Sequence, residues 1–144
     1  MSLAALLLAA AGDSGSQPFI DLSWPNINST SFVAVTDVGA RVLSTSGGQL
    51  QFSFSAQYDG GVAVCKAQYS LDNSTWTDVP STETTGTLPT TTPGEEQPGD
   101  ISRAATLLTG LTGSTLYYVR LVARRTSGST ILSWISPVFT ARQP

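Results

Sequence analysis

Strict alternation of apolar and polar residues marks the middle of the chain. In QLQFSFSAQ, Leu50, Phe52, Phe54 and Ala56 fall on one side and Gln49, Gln51, Ser53 and Ser55 on the other. That period of two is what a half-buried strand requires. Asp59-Gly60-Gly61 supplies a turn. VAVCKAQYSL then resumes the pattern, with Ala63, Cys65, Ala67, Tyr69 and Leu71 on one face. Asp72-Asn73-Ser74 is turn chemistry, because Asx side chains bond backbone two residues on. TWTDV follows as a short strand, and RAATLLTGL, STLYYVRLVARR and TILSWISPVFTA read as later ones, with Ser127-Gly128-Ser129 turning before the last. Earlier, SFVAVTDV and ARVLS are short β-rich runs parted by Gly39, and Gly47-Gly48 marks a turn. No amphipathic helix is indicated after residue 16. Short strands at regular intervals with Gly and Asx turns predict an all-β sandwich or barrel.

Three stretches break the alternation. SLAALLLAAAG is an apolar run of about ten residues, half of what a bilayer span needs. No Lys or Arg precedes it, as the n-region of a secretory signal would require. It is therefore expected to be a short helix or extended arm, Ser2 to Ala11, docked on its own domain or on a neighbouring subunit. Gly12 to Ser16 has a flexible-linker composition. In PFIDLSWPNINST, Pro18 and Pro25 exclude a central strand. PSTETTGTLPTTTPGEEQPGDIS, residues 80–102, has few apolar residues and several prolines, so a long loop is expected. The organisation read from this is an arm and linker over residues 1–30 and a β-sandwich over 31–144 with a long loop at 80–102.

Within the sandwich, LTGSTLYYVRLVA (Leu111 to Ala123) resembles strand F of the fibronectin type III domain and the turn before it. Leu111 stands six residues ahead of Tyr117. The resemblance implies that Tyr117 is a tyrosine-corner residue, its hydroxyl tied to backbone upstream. It also implies that Tyr117, Val119, Leu121 and Ala123 face the core while Tyr118, Arg120, Val122 and Arg124 face out. YSLDNSTWTDV (Tyr69 to Val79) is similar to the family's strand C, hairpin turn and following strand, with Trp76 at the matching place. SPVFTA (Ser136 to Ala141) is similar to its closing strand. The resemblance spans roughly Ser31 to Gln143. It departs in strand B, where Phe52 and Phe54 stand instead of a Trp, and in the length of the 80–102 loop. The fold class implied is an immunoglobulin-like, fibronectin type III β-sandwich with an N-terminal arm.

Composition narrows the chemistry. Hydrophobic residues are 40% and charged residues 12% of the 144, the latter about half the usual share. The net charge is −3, which leaves no electrostatic footprint for nucleic acid. The Arg124-Arg125 pair could touch phosphate, but a solvated strand end accounts for it. With no His, the usual general base, zinc ligand and Ser-His arrangement are missing. The single Cys65 cannot form an internal disulfide or build a structural zinc site; it reads as a buried small hydrophobe. The absence of disulfides fits assembly in a reducing cytoplasm. Glu95 and Glu96 are adjacent in a Pro/Gly loop and read as solvated charge. Asp72 with Asp78 could hold Ca²⁺ weakly, though turn duty explains Asp72. The sequons at Asn28 and Asn73 bear meaning only in a secretory pathway.

These features together predict no enzyme and no cofactor, metal, membrane or nucleic-acid partner. A small, charge-poor sandwich with an apolar arm suggests a structural accessory of a large assembly: a bacteriophage capsid decoration (cement) protein, or another virion component assembled in the host cytoplasm. Its partners would be other virion proteins such as a major capsid protein, or further copies of itself. The expected contact residues are Leu3, Leu6, Leu7 and Leu8 of the arm, Trp24, Leu88 in the loop, and Trp134. Trp24 and Trp134 fit either a core or a surface place; an exposed ring would supply a sugar or protein contact. A carbohydrate- or receptor-binding module of an adhesin or tail fibre is the competing expectation.

Overall fold

The computed structural model describes residues 16–18, 26–35, 41–59, 61–87, 93–94, 99–127 and 130–141; side chains are described for 28–35, 41–58, 61–87, 93–94 and 99–127. The expected contact residues Leu3, Leu6, Leu7, Leu8, Trp24 and Leu88 lie outside the described residues, as does the side chain of Trp134.

Eleven strands and no helix make up the described chain: β1 (Ser16–Pro18), β2 (Asn26–Ile27), β3 (Val33–Ala34), β4 (Arg41–Leu43), β5 (Leu50–Asp59), β6 (Val62–Ser70), β7 (Thr77–Asp78), β8 (Thr84–Thr85), β9 (Gly99–Leu108), β10 (Leu116–Ser127) and β11 (Thr130–Ala141). They form two sheets. The first runs β1-β11-β5-β9, with β2 also on β11; the second runs β3-β10-β6-β7, with β4 also on β10 and β8 on β6. Every pairing is antiparallel. Successive strands change sheet at the β2–β3, β4–β5, β5–β6, β8–β9, β9–β10 and β10–β11 connections, and the apolar faces of the two sheets meet between them.

The alternation read in the sequence decides which face is buried. Leu50, Phe52, Phe54 and Ala56 are at most 3% exposed, as are Ala63, Cys65, Ala67, Tyr117, Val119, Leu121 and Ala123. The two phenylalanines divide the core. Phe54 packs with Cys65, Ile101 and Leu121, and Phe52 with Val42, Val119 and Tyr117. Leu71, expected on the same face, is 61% exposed. β6 ends at Ser70, and the Asx turn that follows carries Leu71 off the sheet.

Tyr117 ties down the chain before β10. Its ring is buried, meets Tyr69 edge-on at 6.0 Å, and its hydroxyl accepts the Thr112 N–H at 2.9 Å. Beside it, buried Ser44 donates its hydroxyl to Thr112 O at 2.7 Å and accepts the Thr115 N–H at 3.0 Å. Thr45 O accepts the Ser114 N–H. The Gly48 backbone sits so near Leu111 that an added Cβ would fall 1.9 Å from Leu111 O, and its φ is +73°. These backbone groups are thus paired although they leave both ladders.

Two differences from the expected organisation concern the chain ends and the loop. Ser16–Pro18 and Asn26–Ile27, within the stretch read as arm and linker, pair with β11; Pro18 is tolerated because β1 is an edge. In immunoglobulin-type sandwiches the closing strand shares a sheet with strand F. Here β11 lies instead along β5, and β3 and β4 take the place beside β10. The stretch 80–102 is not one loop. β8 pairs with β6, and β9 begins at Gly99. Buried Thr82 donates to Val79 O and accepts the Ala67 N–H, and Thr87 and Asp100 stand side by side, bonded through N–H, hydroxyl and carbonyl.

Candidate contact surface

The second sheet turns one face to the core and the other outward, and the outward face carries a linked set of cations, rings and polar side chains. β10 presents Tyr118, Arg120 and Arg124 there, and β6 presents Lys66 and Gln68. β4 adds Arg41, which pairs across from Tyr118. Phe32 and Trp76 come from the segments preceding β3 and β7. Alternation places the β10 and β6 residues.

Each cation on this face is stacked on a ring. Arg41 lies 5.6 Å from the centre of Tyr118, Arg120 4.1 Å from Trp76, Lys66 4.1 Å from Phe32 and Arg124 5.2 Å from the same ring. Hydrogen bonds join the stacks. Arg120 Nε donates to Gln68 Oε1 at 2.8 Å, Gln68 Nε2 to Asp78 Oδ1 at 2.7 Å, and Lys66 Nζ to Asp78 Oδ2 at 2.7 Å. Arg124 approaches Glu83 at 4.0 Å. Cation–π contacts of this kind contribute about 0.5–1 kcal/mol each at exposed sites, so the network mainly fixes geometry. Partial burial opposes the Asp78 charge, but the bonds from Gln68 and Lys66 outweigh it and its pKa is lowered. Burial lowers the Arg120 pKa.

Val64 and Val122 share this face by parity, yet both are 1% exposed, against the expectation that Val122 faces solvent. Val122 stands opposite Lys66, and Val64 opposite Arg124. The aliphatic stems of long cations cover apolar neighbours in this way while the charged head stays wet. Arg124 and Arg125 are accordingly no solvated strand end: Arg124 is stacked on Phe32, and Arg125 donates Nε to Asn28 O at 2.5 Å and its N–H to Ser29 O at 3.0 Å.

Of the expected contact residues, only the backbone of Trp134 is described. It lies on β11 opposite Gln57, just past a register shift that follows Leu132. The outward stripe was readable only in part: the strand-F resemblance implies that Tyr118, Arg120 and Arg124 face out, whereas nothing in the sequence says that Phe32, Trp76 and Arg41 join them.

The other candidates for chemistry are spoken for. Asp72 Oδ1 accepts the Ser70 hydroxyl and the Ser74 and Thr75 N–H groups at 2.7–2.9 Å. Chiefly the two backbone bonds bring its pKa down to about 2. Asp78 is engaged with Lys66 and Gln68, so the two carboxylates serve separate structures, and no group of three metal-ligating side chains occurs among the described residues. An open cleft of about 480 Å³ lies between the Asp72 turn and the Leu111–Tyr117 corner. The Cys65 thiol is fully buried, which pushes its pKa up to about 12; at neutral pH it is a protonated core side chain. No helix among the described residues is long and apolar enough to cross a membrane.

No family model matches the sequence, and no curated protein matches it. Among solved structures, the chain is similar to the Eiger TNF of S. frugiperda, at 13% identity over 92% of this chain and 96% of that one, with a TM-score of 0.48.

Proposed function

We propose that this chain is a structural accessory of a large assembly, most concretely a bacteriophage capsid decoration protein, which docks through the outer face of its second sheet. The observation that carries the reading is the stacked row of Tyr118, Trp76 and Phe32 with Arg41, Arg120, Lys66 and Arg124. Arg and aromatic residues are the types enriched at the centres of protein interfaces. Held by neighbours before any partner arrives, they lose little freedom on binding. The bulk of the sequence points the same way, with few charges, no His and one buried Cys.

We take the sandwich itself as a variant of the fibronectin type III arrangement in which the last strand, β11, lies beside β5, and β3 and β4 stand in its place beside β10. Support comes from the Tyr117 hydroxyl bonded five residues upstream, and from Trp76 in the hairpin that leads from β6 to β7. A glycan-binding role gains less from the described rings. Sugar stacking needs an open aromatic face, and Phe32, Trp76 and Tyr118 each carry a cation on one side.

Sedimentation velocity of the protein in its native preparation tests the reading. Migration within a particle of megadalton size, beside a more abundant chain, is the expected result. Migration alone near 15.0 kDa would overturn it.

A further inference from the structure

The cations of the outer face are not equivalent. Lys66 has Asp78 as its counter-charge at 2.7 Å, and Arg124 has Glu83 at 4.0 Å. Arg41 and Arg120 have no carboxylate among the described residues. Arg120 is the more unusual, being half-buried between the Trp76 ring and the neutral amide of Gln68. A guanidinium taken partly out of water without a counter-ion carries an unrecovered solvation cost. The downward pKa shift of Arg120, caused by burial, is a sign of that cost. The stacks also leave room for a counter-ion. Stacking engages the flat face of a guanidinium, whereas its five N–H donors lie around the edge, and Gln68 takes only the one on Nε.

The spacing adds a second observation. Arg41 is the cross-strand partner of Tyr118, and Arg120 follows two residues later on the same face. That places the two cations in a diagonal relation, roughly 7–8 Å apart at the backbone. Side chains two residues apart on an extended peptide project to one side with a separation of about 6.6–6.8 Å. A residue pair so spaced matches the backbone spacing of Arg41 and Arg120, with the Tyr118 ring beside the Arg41 head and the Trp76 ring beside the Arg120 head.

We infer that Arg41, Tyr118, Arg120 and Trp76 form a docking strip for an extended acidic segment of a partner protein, with carboxylates two residues apart. The inference rests on the reading of this face as the docking surface and specifies its chemistry. Carboxylate pairs with the edge of each guanidinium, a geometry that is bidentate and planar. A nucleic acid suits the strip less. The face carries four cations against two carboxylates in a chain of net charge −3, too little to release a polyanion's counter-ions along its length.

The test uses the full chain and two synthetic peptides, Gly-Glu-Thr-Glu-Gly and its Gln-for-Glu counterpart, followed by NMR at the arginine Nε–H and tryptophan indole signals. The acidic peptide is expected to shift the Arg120 and Trp76 signals saturably. The Gln peptide should not, and R41Q/R120Q should bind at least about tenfold more weakly, the scale of two exposed to half-buried ion pairs. R120K, which keeps the charge and loses the planar fork, should fall between. Unchanged near-ultraviolet circular dichroism identifies the variants as folded; if R41Q/R120Q is not, R41Q alone serves. Equal shifts from both peptides, or none, overturn the inference, as does tighter binding of a thymidine oligonucleotide. If R41Q/R120Q still travels with the native particle, the strip is wrong and the accessory role stands; if the peptide binds but no particle exists, the reverse holds.

Discussion

Tyr58 shows how one side chain can organise a segment poor in apolar residues. It is fully buried, and its hydroxyl donates to Thr87 O. A Cβ on Gly86 or on Gly99 would fall 2.4 Å from its ring. Gly99→Ala and Gly86→Ala should therefore each destabilise the fold by about 1–3 kcal/mol, the usual effect of overpacking. Tyr58→Phe, which keeps the ring and drops the bond, should cost about 0.5–1.5 kcal/mol. Urea unfolding midpoints of the three variants check both, and wild-type midpoints for the glycine variants would exclude the clamp. Cys65 makes a second residue-scale prediction. With its pKa up at about 12 it should resist a thiol reagent at about pH 8 in the folded protein and react at once in concentrated guanidinium chloride. Reaction in both conditions at one rate would contradict its burial.

At the scale of the element, sheet faces set by period two were legible in the sequence. The alternation in β5 and the strand-F resemblance in β10 name the core-facing residues, which are buried as expected, while Val122 on the other face is buried as well. The Tyr117 corner was legible too, through a resemblance, and its bond to Thr112 is in place. What stayed hidden was pairing between distant strands. Nothing local distinguishes a closing strand beside β10 from one beside β5, since the period of two is the same in either place. The described part of 80–102 was hidden for another reason: Thr82 and Thr87 are held by hydroxyl and backbone bonds that leave no apolar period. Turn chemistry was clear, and it carries a pH dependence. Asp72 and Asp78 both have folded pKa values below the ordinary carboxylate value of 3.8. The contribution of each is full above that value and is lost as the pH falls through its lowered folded pKa, which for Asp72 is about 2. Thermal melts should thus hold their midpoint above about pH 5 and drop below about pH 4, with a smaller drop in D72N/D78N. An equal acid drop in that variant would assign the effect to other carboxylates.

For the whole molecule, two stacked sheets give an inner surface closed by the core and an outer surface set in advance by cation and ring. The proposed role depends on that second surface, since the face that holds Arg120 on Trp76 costs little to order when a partner arrives. Arginine footprinting is the most direct measurement of this claim. Labelling with an arginine-selective dicarbonyl, read by mass spectrometry, would be compared between the isolated chain and the native particle. Arg41 and Arg120 should react in the isolated chain and be protected in the particle, while Arg103 on β9 of the opposite sheet reacts in both. Equal labelling of Arg41 and Arg120 in the two states would contradict docking through this face.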